Sequence, residues 1–225
     1  MKPRRFAQML VVLLAVVSTG CPKDLIQLSD FKKRLNAGDY AGIAQEPVSC
    51  EEVGDACGQL RLIKGDACFR LAKLNNEPAK HYACAVTELD KGVQYTKTWQ
   101  QEEAHLNRPR TYANLCESLR ALQDMERGSK ADQLTQRLLD TSQRFLEAEP
   151  GDPAAVYYNA SARYTQLRPA LLQSPKLPDL CPHLNELIGA LNAAMPRASG
   201  TDYQQNITRL QSDMNGAKHT VAGCN

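Results

Sequence analysis

The chain has 225 residues, of which 43% are hydrophobic and 23% are charged, and its formal net charge is +2. Three basic residues and no acidic ones lie in the first 20 residues, so the remaining 205 carry 24 basic and 25 acidic residues. This near neutrality disfavours a nucleic-acid partner, because binding to phosphates needs clustered Lys and Arg. The length fits one domain or one array of repeats.

The first 21 residues have the architecture of a bacterial secretory signal: a basic n-region, a short apolar h-region at 9–17, and small residues directly after it. The h-region is too short for a transmembrane helix, because nine residues span about 14 Å against a bilayer core of ~30 Å. The run Ser18-Thr19-Gly20-Cys21 resembles the lipobox of bacterial lipoproteins, with Ser18 where Leu is usual. That resemblance implies cleavage before Cys21 and lipidation of its thiol. By analogy with enteric sorting, Pro22 and Lys23 after the cysteine, in place of Asp, leave the outer membrane facing the periplasm as the expected destination. The alternative is an ordinary secretory signal, with Cys21 in a disulfide.

Residue choice after Cys21 favours helix over strand. This part of the chain contains 25 Leu and 25 Ala against six Val and five Ile. Leu and Ala are strong helix formers, whereas β-branched residues favour strands. No run alternates apolar and polar residues as a half-buried strand would. We therefore expect an all-α fold.

Apolar residues recur every three or four positions, the spacing of amphipathic helices, in seven stretches: 56–74, 82–93, 112–122, 134–148, 157–164, 184–191 and 203–214. Pro and Gly punctuate the connections at 75–78, 127–129 and 149–153. Short connections require antiparallel hairpins, and successive hairpins of similar size indicate a repeat array. Two stretches fit this spacing less well and are expected to be loops or irregular turns: 37–55, which starts helically and breaks at Pro47, and 166–182, which contains four prolines. The sequence thus predicts a signal peptide at 1–20, a short tether at 21–28 and a helical domain at 29–225, with its C-terminal helices in 178–218.

The segment from Phe145 to Tyr164 resembles a junction between two tetratricopeptide repeats, because an acidic-Pro turn is followed by an aromatic, a small residue and Tyr. Tyr157, Ser161 and Tyr164 hold those places. Residues 79–90 resemble the second helix of such a unit, and 65–69 part of a first. The resemblance covers about 55–165 and implies a tetratricopeptide-like α-solenoid, although no unit carries the full signature. A generic α-helical domain is the alternative.

Eight cysteines behind a secretory signal imply an oxidising compartment and a disulfide framework. Cys68 and Cys84 lie eight residues either side of position 76 in the 75–78 turn, so antiparallel helices would bring them face to face. Cys50 and Cys57 are near enough to staple the loop between them, and Cys181 and Cys224 bracket the last hairpin. Cys116 is left as the free thiol. Stapled helical repeats also resemble the cysteine-rich Sel1-like family, but its glycine-rich inter-helix loop is missing here.

The sequence contains no recognisable catalytic or metal-binding motif. P-loop, G-x-S-x-G, H-E-x-x-H, G-x-G-x-x-G and C-x-x-C patterns are all missing, and the four histidines are scattered. Glu102-Glu103-Ala104-His105 is interpreted as a solvated helix end, and Arg108-Pro109-Arg110 as a basic turn that caps helices. We therefore expect neither a cofactor nor a metal site, and no enzyme.

The expected function is that of a lipid-anchored scaffold that binds another protein of the cell envelope. Tetratricopeptide-like lipoproteins pilot secretin or pilus components, so the resemblance implies a role in assembling an envelope complex. Tyr157, Tyr158 and Tyr164 are the predicted contact residues, because tyrosines make efficient anchors when exposed. The alternatives are an accessory subunit or an enzyme whose site is unrecognised, or a secreted Sel1-like protein.

Overall fold

A computed structural model describes residues 23–50, 53–173 and 179–221, together with Cys224. Within these residues it contains nine α-helices and no strand, which confirms the all-α prediction. We number the helices in chain order: α1 Lys23–Asn36, α2 Tyr40–Gln45, α3 Asp55–Lys73, α4 Pro78–Tyr95, α5 Arg108–Met125, α6 Ser129–Ala148, α7 Pro153–Gln173, α8 Leu180–Ala198 and α9 Tyr203–Lys218.

Local sequence signals define where the helices begin. Pro78 and Pro153 are the first residues of α4 and α7, where the missing N–H removes no helical hydrogen bond. The side chain of Asn107 caps α5 by accepting a hydrogen bond from the backbone N–H of Arg110 at 3.0 Å. Gly128, with φ of +60°, separates α5 from α6 in a conformation that suits glycine.

Each helix from α3 onward packs along the next one in the chain. Every second helix is also in contact, since α3 meets α5, α5 meets α7, and α7 meets α9. These four helices therefore form a continuous row, which we call the α3–α9 row. Helices α1 and α2 cover the free side of α3 and build a small separate core around Phe31, Ile43 and Leu60.

Helices α3 and α4 pack closely against each other. A Cβ atom added to Gly65 would lie 2.6 Å from the side chain of Leu89, and one added to Gly92 would lie 2.5 Å from that of Leu62. Glycine at these positions therefore lets the two backbones approach. Cys68 and Cys84 are disulfide-bonded across this pair, with their Cα atoms 5.9 Å apart. The two other disulfides join Cys50 to Cys57 and Cys181 to Cys224.

Helix occurs in all three segments that the sequence predicts to be a tether or loops, including the helical start of 37–55. Helix α1 occupies most of the expected tether at 21–28, because Leu28 joins the small N-terminal core. Helix α2 forms within 37–55, where Asp39 accepts a hydrogen bond from the N–H of Gly42. Helix α7 continues to Gln173 despite Pro169, since apolar side chains on its last turns still pack against the main core.

Candidate interaction surface

Two of the three tyrosines expected to contact a partner are buried. Tyr157 is 6% exposed and Tyr158 is 3% exposed. Their rings and that of Tyr203 on α9 form a three-way cluster, with ring centroids 5.1 to 5.9 Å apart. Because α7 is covered by α5 and α9 as well as by its chain neighbours, both tyrosines face other helices. The prediction that Tyr157 and Tyr158 form an exposed contact surface is therefore wrong.

The buried tyrosine hydroxyls join α7 to α5 through a charged pair. The hydroxyl of Tyr158 donates to Oε2 of Glu117 at 3.0 Å, and Nη1 of Arg120 donates to the hydroxyl of Tyr157 at 3.4 Å. Arg120 and Glu117 are themselves paired at 2.9 Å. Burial raises the pKa of the Tyr157 and Tyr158 hydroxyls and raises the pKa of Tyr203 to about 12. All three phenols therefore stay protonated at neutral pH.

Tyr164, the third predicted contact residue, is half-buried about two turns further along α7. Its hydroxyl donates to the backbone carbonyl of Asp213 on α9 at 3.4 Å. Burial raises the pKa of this hydroxyl also. Tyr164 therefore links two helices of the row, with only part of its ring facing solvent.

A groove lies where the helices of the row begin. It has a volume of about 520 Å³ and is bordered by the first turns of α5, α7 and α9 and by the end of α8. We call it the α5–α9 groove. Its lining includes the small or apolar residues Ala113, Pro153 and Ala154, the aromatic Tyr203, and four charged residues, namely Arg110, Arg197, Asp152 and Asp202. Asp152 is engaged in capping α7, because its Oδ1 accepts a hydrogen bond from the N–H of Ala154 at 2.8 Å.

The two arginines are positioned differently at this groove. Nη2 of Arg110 lies 3.5 Å from Oδ1 of Asp66, a carboxylate that is only 3% exposed and also accepts from Arg70 at 2.7 Å. Arg110 is thus oriented by α3 while its side chain stays 41% exposed. A Cβ atom on Gly151 would lie 3.2 Å from Nη1 of Arg197, so the Arg197 guanidinium rests on the turn before α7. Guanidinium groups held in this way can bind a carboxylate through two parallel hydrogen bonds.

The sequence interpretation of 108–110 accounts for Arg108 but overlooks Arg110. Arg108 donates to Glu149 at 2.6 Å and to the carbonyl of Ala148 at 3.2 Å, so it caps the end of α6 as expected. Arg110 and Arg197 are 87 positions apart, and both line one groove because of how the helices between them are arranged. No local sequence signal predicts this shared position.

A second cavity, of about 470 Å³, lies between α1, α3 and the loop before α5. His105 at its edge is only 7% exposed, so the interpretation of residues 102–105 as a solvated helix end is wrong. Burial, opposed by the carboxylate of Glu103, lowers the pKa of the His105 imidazole, which is therefore neutral at pH 7. Its Nε2 atom lies 3.2 Å from Oε2 of Glu103 without the geometry of a hydrogen bond. The lining includes no serine or cysteine to act as a nucleophile.

Six of the seven cysteines in the described part of the chain are paired in disulfides. No group of three or more His, Cys, Asp or Glu side chains is placed there to hold a metal ion. Cys116 is the free thiol among the described cysteines, and it is fully buried. Burial raises the pKa of this thiol far above its usual range, so it is unreactive. Cys21, the predicted lipidation site, lies outside the described residues.

Comparison with protein-family models, with curated proteins and with solved structures gives no match for this chain. None of the described helices is long and apolar enough to cross a membrane. Any functional assignment therefore depends on the N-terminal sequence signals and on the surfaces described above.

Proposed function

We propose that this protein is a lipid-anchored envelope lipoprotein whose helices form a tetratricopeptide-like array that binds another protein. The alternating contacts of the α3–α9 row support the array, because stacked hairpins bring every second helix together in this way. The signal-like N-terminus and its terminal Cys21 support the lipid anchor. The three disulfides suit an oxidising periplasm.

The α5–α9 groove is the observation that carries the binding function. It combines small and apolar residues with two guanidinium groups, two aspartates and the edge of a buried aromatic cluster. Partner-binding sites commonly combine apolar area with arginine and tyrosine. The groove replaces the tyrosine surface predicted from the sequence. We propose that it accepts an extended peptide segment carrying a carboxylate, and that the protein assists in assembling an envelope complex.

The experiment is affinity capture from a solubilised envelope with the mature chain and two charge-reversal variants. Arg197→Glu places a negative charge at the groove, whereas Arg168→Glu makes the same change on an exposed part of α7 outside it. Both sites are exposed, so each change should alter the free energy of unfolding by less than about 0.5 kcal/mol. We expect Arg197→Glu to lose partners that the parent chain and Arg168→Glu both retain.

Two results would count against this assignment. Equal capture by both variants would exclude the groove as the contact surface. Turnover of a small molecule by the purified chain, with no partner present, would favour the alternative of an enzyme.

Lipidation is tested separately by metabolic labelling with a tagged palmitate. The parent chain should be labelled and Cys21→Ala should not, because only Cys21 follows the signal at the lipobox position. Equal labelling of the two chains would exclude Cys21 as the lipid site.

A further inference from the structure

Helix α1 begins very close to the proposed lipid anchor. It starts at Lys23, two residues after Cys21. Consecutive Cα atoms are 3.8 Å apart, so the Cα atoms of residues 21 and 23 are separated by at most ~7.6 Å. A helix rises 1.5 Å per residue, which adds ~4.5 Å from Lys23 to Ile26. The first turn of α1 must therefore lie within about 12 Å of any lipidated cysteine.

That first turn presents apolar side chains to the surroundings. Leu25 is 47% exposed and Ile26 is 60% exposed, and they are adjacent in the chain. Lys23 and Asp24, which carry opposite charges, come directly before them, so the net charge of the turn is zero. The transfer of exposed leucine and isoleucine side chains from water to a less polar phase lowers the free energy.

The first turn is also firmly attached to the rest of the molecule. Leu28 and Phe31, on the next turns of α1, are buried in the N-terminal core. The side-chain amide of Gln27 donates to the carbonyl of Pro47 at 2.8 Å, and its oxygen accepts from the N–H of Ser49 at 2.9 Å. Any surface that binds the first turn of α1 therefore also fixes the position of the folded domain.

We infer that the first turn of α1 lies in the bilayer interface, with Leu25 and Ile26 inserted beside the acyl chains carried by Cys21. The inference rests on the proposed lipid anchor and adds a second membrane contact to it. The partner of this apolar turn is a phospholipid surface, because the chain between the anchor and the helix is too short to hold the turn away from the membrane. Lipid anchors commonly need such a second contact for stable attachment. The domain is thereby held at the membrane in one orientation instead of swinging on a flexible tether.

The test uses fluorescence quenching of the mature lipoprotein in vesicles of phosphatidylethanolamine and phosphatidylglycerol with brominated acyl chains. Trp99 is the single tryptophan and is replaced first by Trp99→Phe. Ile26→Trp then places a reporter in the first turn. Leu74→Trp, a matched change at another exposed apolar residue, serves as the control. Unchanged thermal unfolding of both variants establishes that the fold is intact.

We expect Ile26→Trp to show blue-shifted emission, quenching by the brominated lipids and protection from iodide in the water. Leu74→Trp should show the emission of a tryptophan in water, no quenching by the brominated lipids and quenching by iodide. If Trp99→Phe destabilises the fold, the same reporters are read as differences in a background that retains Trp99.

The failure of this inference differs from failure of the anchor. A palmitate-labelled Ile26→Trp chain that remains open to iodide and unquenched by the brominated lipids would overturn the membrane contact alone. Concentration-dependent dimerisation through the same turn would also overturn it, since a second copy would then be the occupant. A chain that takes up no palmitate would remove the anchor and the inference together.

Discussion

Helix α3 packs against α4 in a different way from that in which α7 packs against α9. In the first pair, glycines face leucines on the opposite helix and a disulfide crosses between Cys68 and Cys84. In the second region, three tyrosine rings lie between α7 and α9, and the hydroxyls of Tyr157 and Tyr158 contact charged groups on α5. Both regions are buried, but one is held by backbone proximity and the other by large side chains.

This difference bears on where the proposed partner would bind. The distance between packed helices follows the size of the side chains between them. Glycine contacts close the space between α3 and α4, whereas the bulky rings between α7 and α9 hold those helices apart. The α5–α9 groove lies at the edge of the tyrosine cluster, where Tyr203 forms part of its wall. The binding surface is thus expected in the region of looser helix contact.

The largest expected effect is the loss of a ring from the tyrosine cluster. Tyr158→Ala removes a side chain that is 3% exposed and leaves a cavity, so the free energy of unfolding should fall by about 3–5 kcal/mol. Denaturant unfolding monitored by circular dichroism measures this change. Tyr158→Phe keeps the ring and loses only the hydrogen bond to Glu117, with an expected cost of about 1.5–3 kcal/mol. Equal losses for the two variants would show that ring packing is not the main contribution.

Opening the disulfide of the first pair should have the next largest effect. The double change Cys68→Ser and Cys84→Ser releases a loop with a sequence separation of 16 residues. In the chain-entropy model this lowers the free energy of unfolding by about 3 kcal/mol. Thermal unfolding under non-reducing conditions is the measurement, and peptide mapping of the parent chain should recover the Cys68–Cys84 link. A parent chain that maps to another pairing would contradict the proposed geometry.

A smaller effect is expected when a methyl group is added between α3 and α4. Gly65→Ala places a carbon 2.6 Å from the side chain of Leu89 and 3.0 Å from its backbone nitrogen. Overpacking should outweigh the gain in helix propensity, for a net loss of roughly 1–2 kcal/mol. The control is Gly189→Ala on α8, where no atom lies within 4 Å of the added carbon, and up to ~1 kcal/mol should be gained. Equal unfolding free energies for these variants would refute the close approach.

How far these features follow from the sequence depends on how local their causes are. The pattern of the helices from α3 to α9 comes from apolar spacing and from Pro and Gly at the connections, so it is largely predictable, whereas the start of α1 and the end of α7 depend on packing against the cores. The Cys68–Cys84 pairing follows from symmetry about a short turn, which is also local. The burial of Tyr157 and Tyr158 is not predictable in this way, because α5 and α9 cover them from positions far along the chain. The position of Arg110 and Arg197 at one groove is unpredictable for the same reason.

The smallest expected effect is a pH dependence from the N-terminal side of the row. His105 has its pKa lowered by burial below the ordinary value of 6.5, so the unfolded chain binds a proton that the folded chain resists. Stability should therefore be constant above about pH 7 and decrease as the pH falls through 6.5 toward the lower folded pKa. Denaturant midpoints of the parent and of His105→Gln, measured from pH 7.5 to 5, test this. If the pH dependence of the denaturant midpoint in this range were the same in both chains, it would have to come from groups other than His105.

Site-specific photocrosslinking in the intact envelope tests the central claim most directly. A photoreactive amino acid is introduced in place of Thr201, an exposed residue of the α5–α9 groove, and separately in place of Thr87, an exposed residue on α4 outside the groove. Both chains keep the signal and Cys21. We predict that light produces a discrete adduct with an envelope protein at position 201 and not at position 87, and that Arg197→Glu abolishes it. An adduct at position 87 alone, equal adducts at both positions, or no adduct at 201 would contradict the groove as the binding surface.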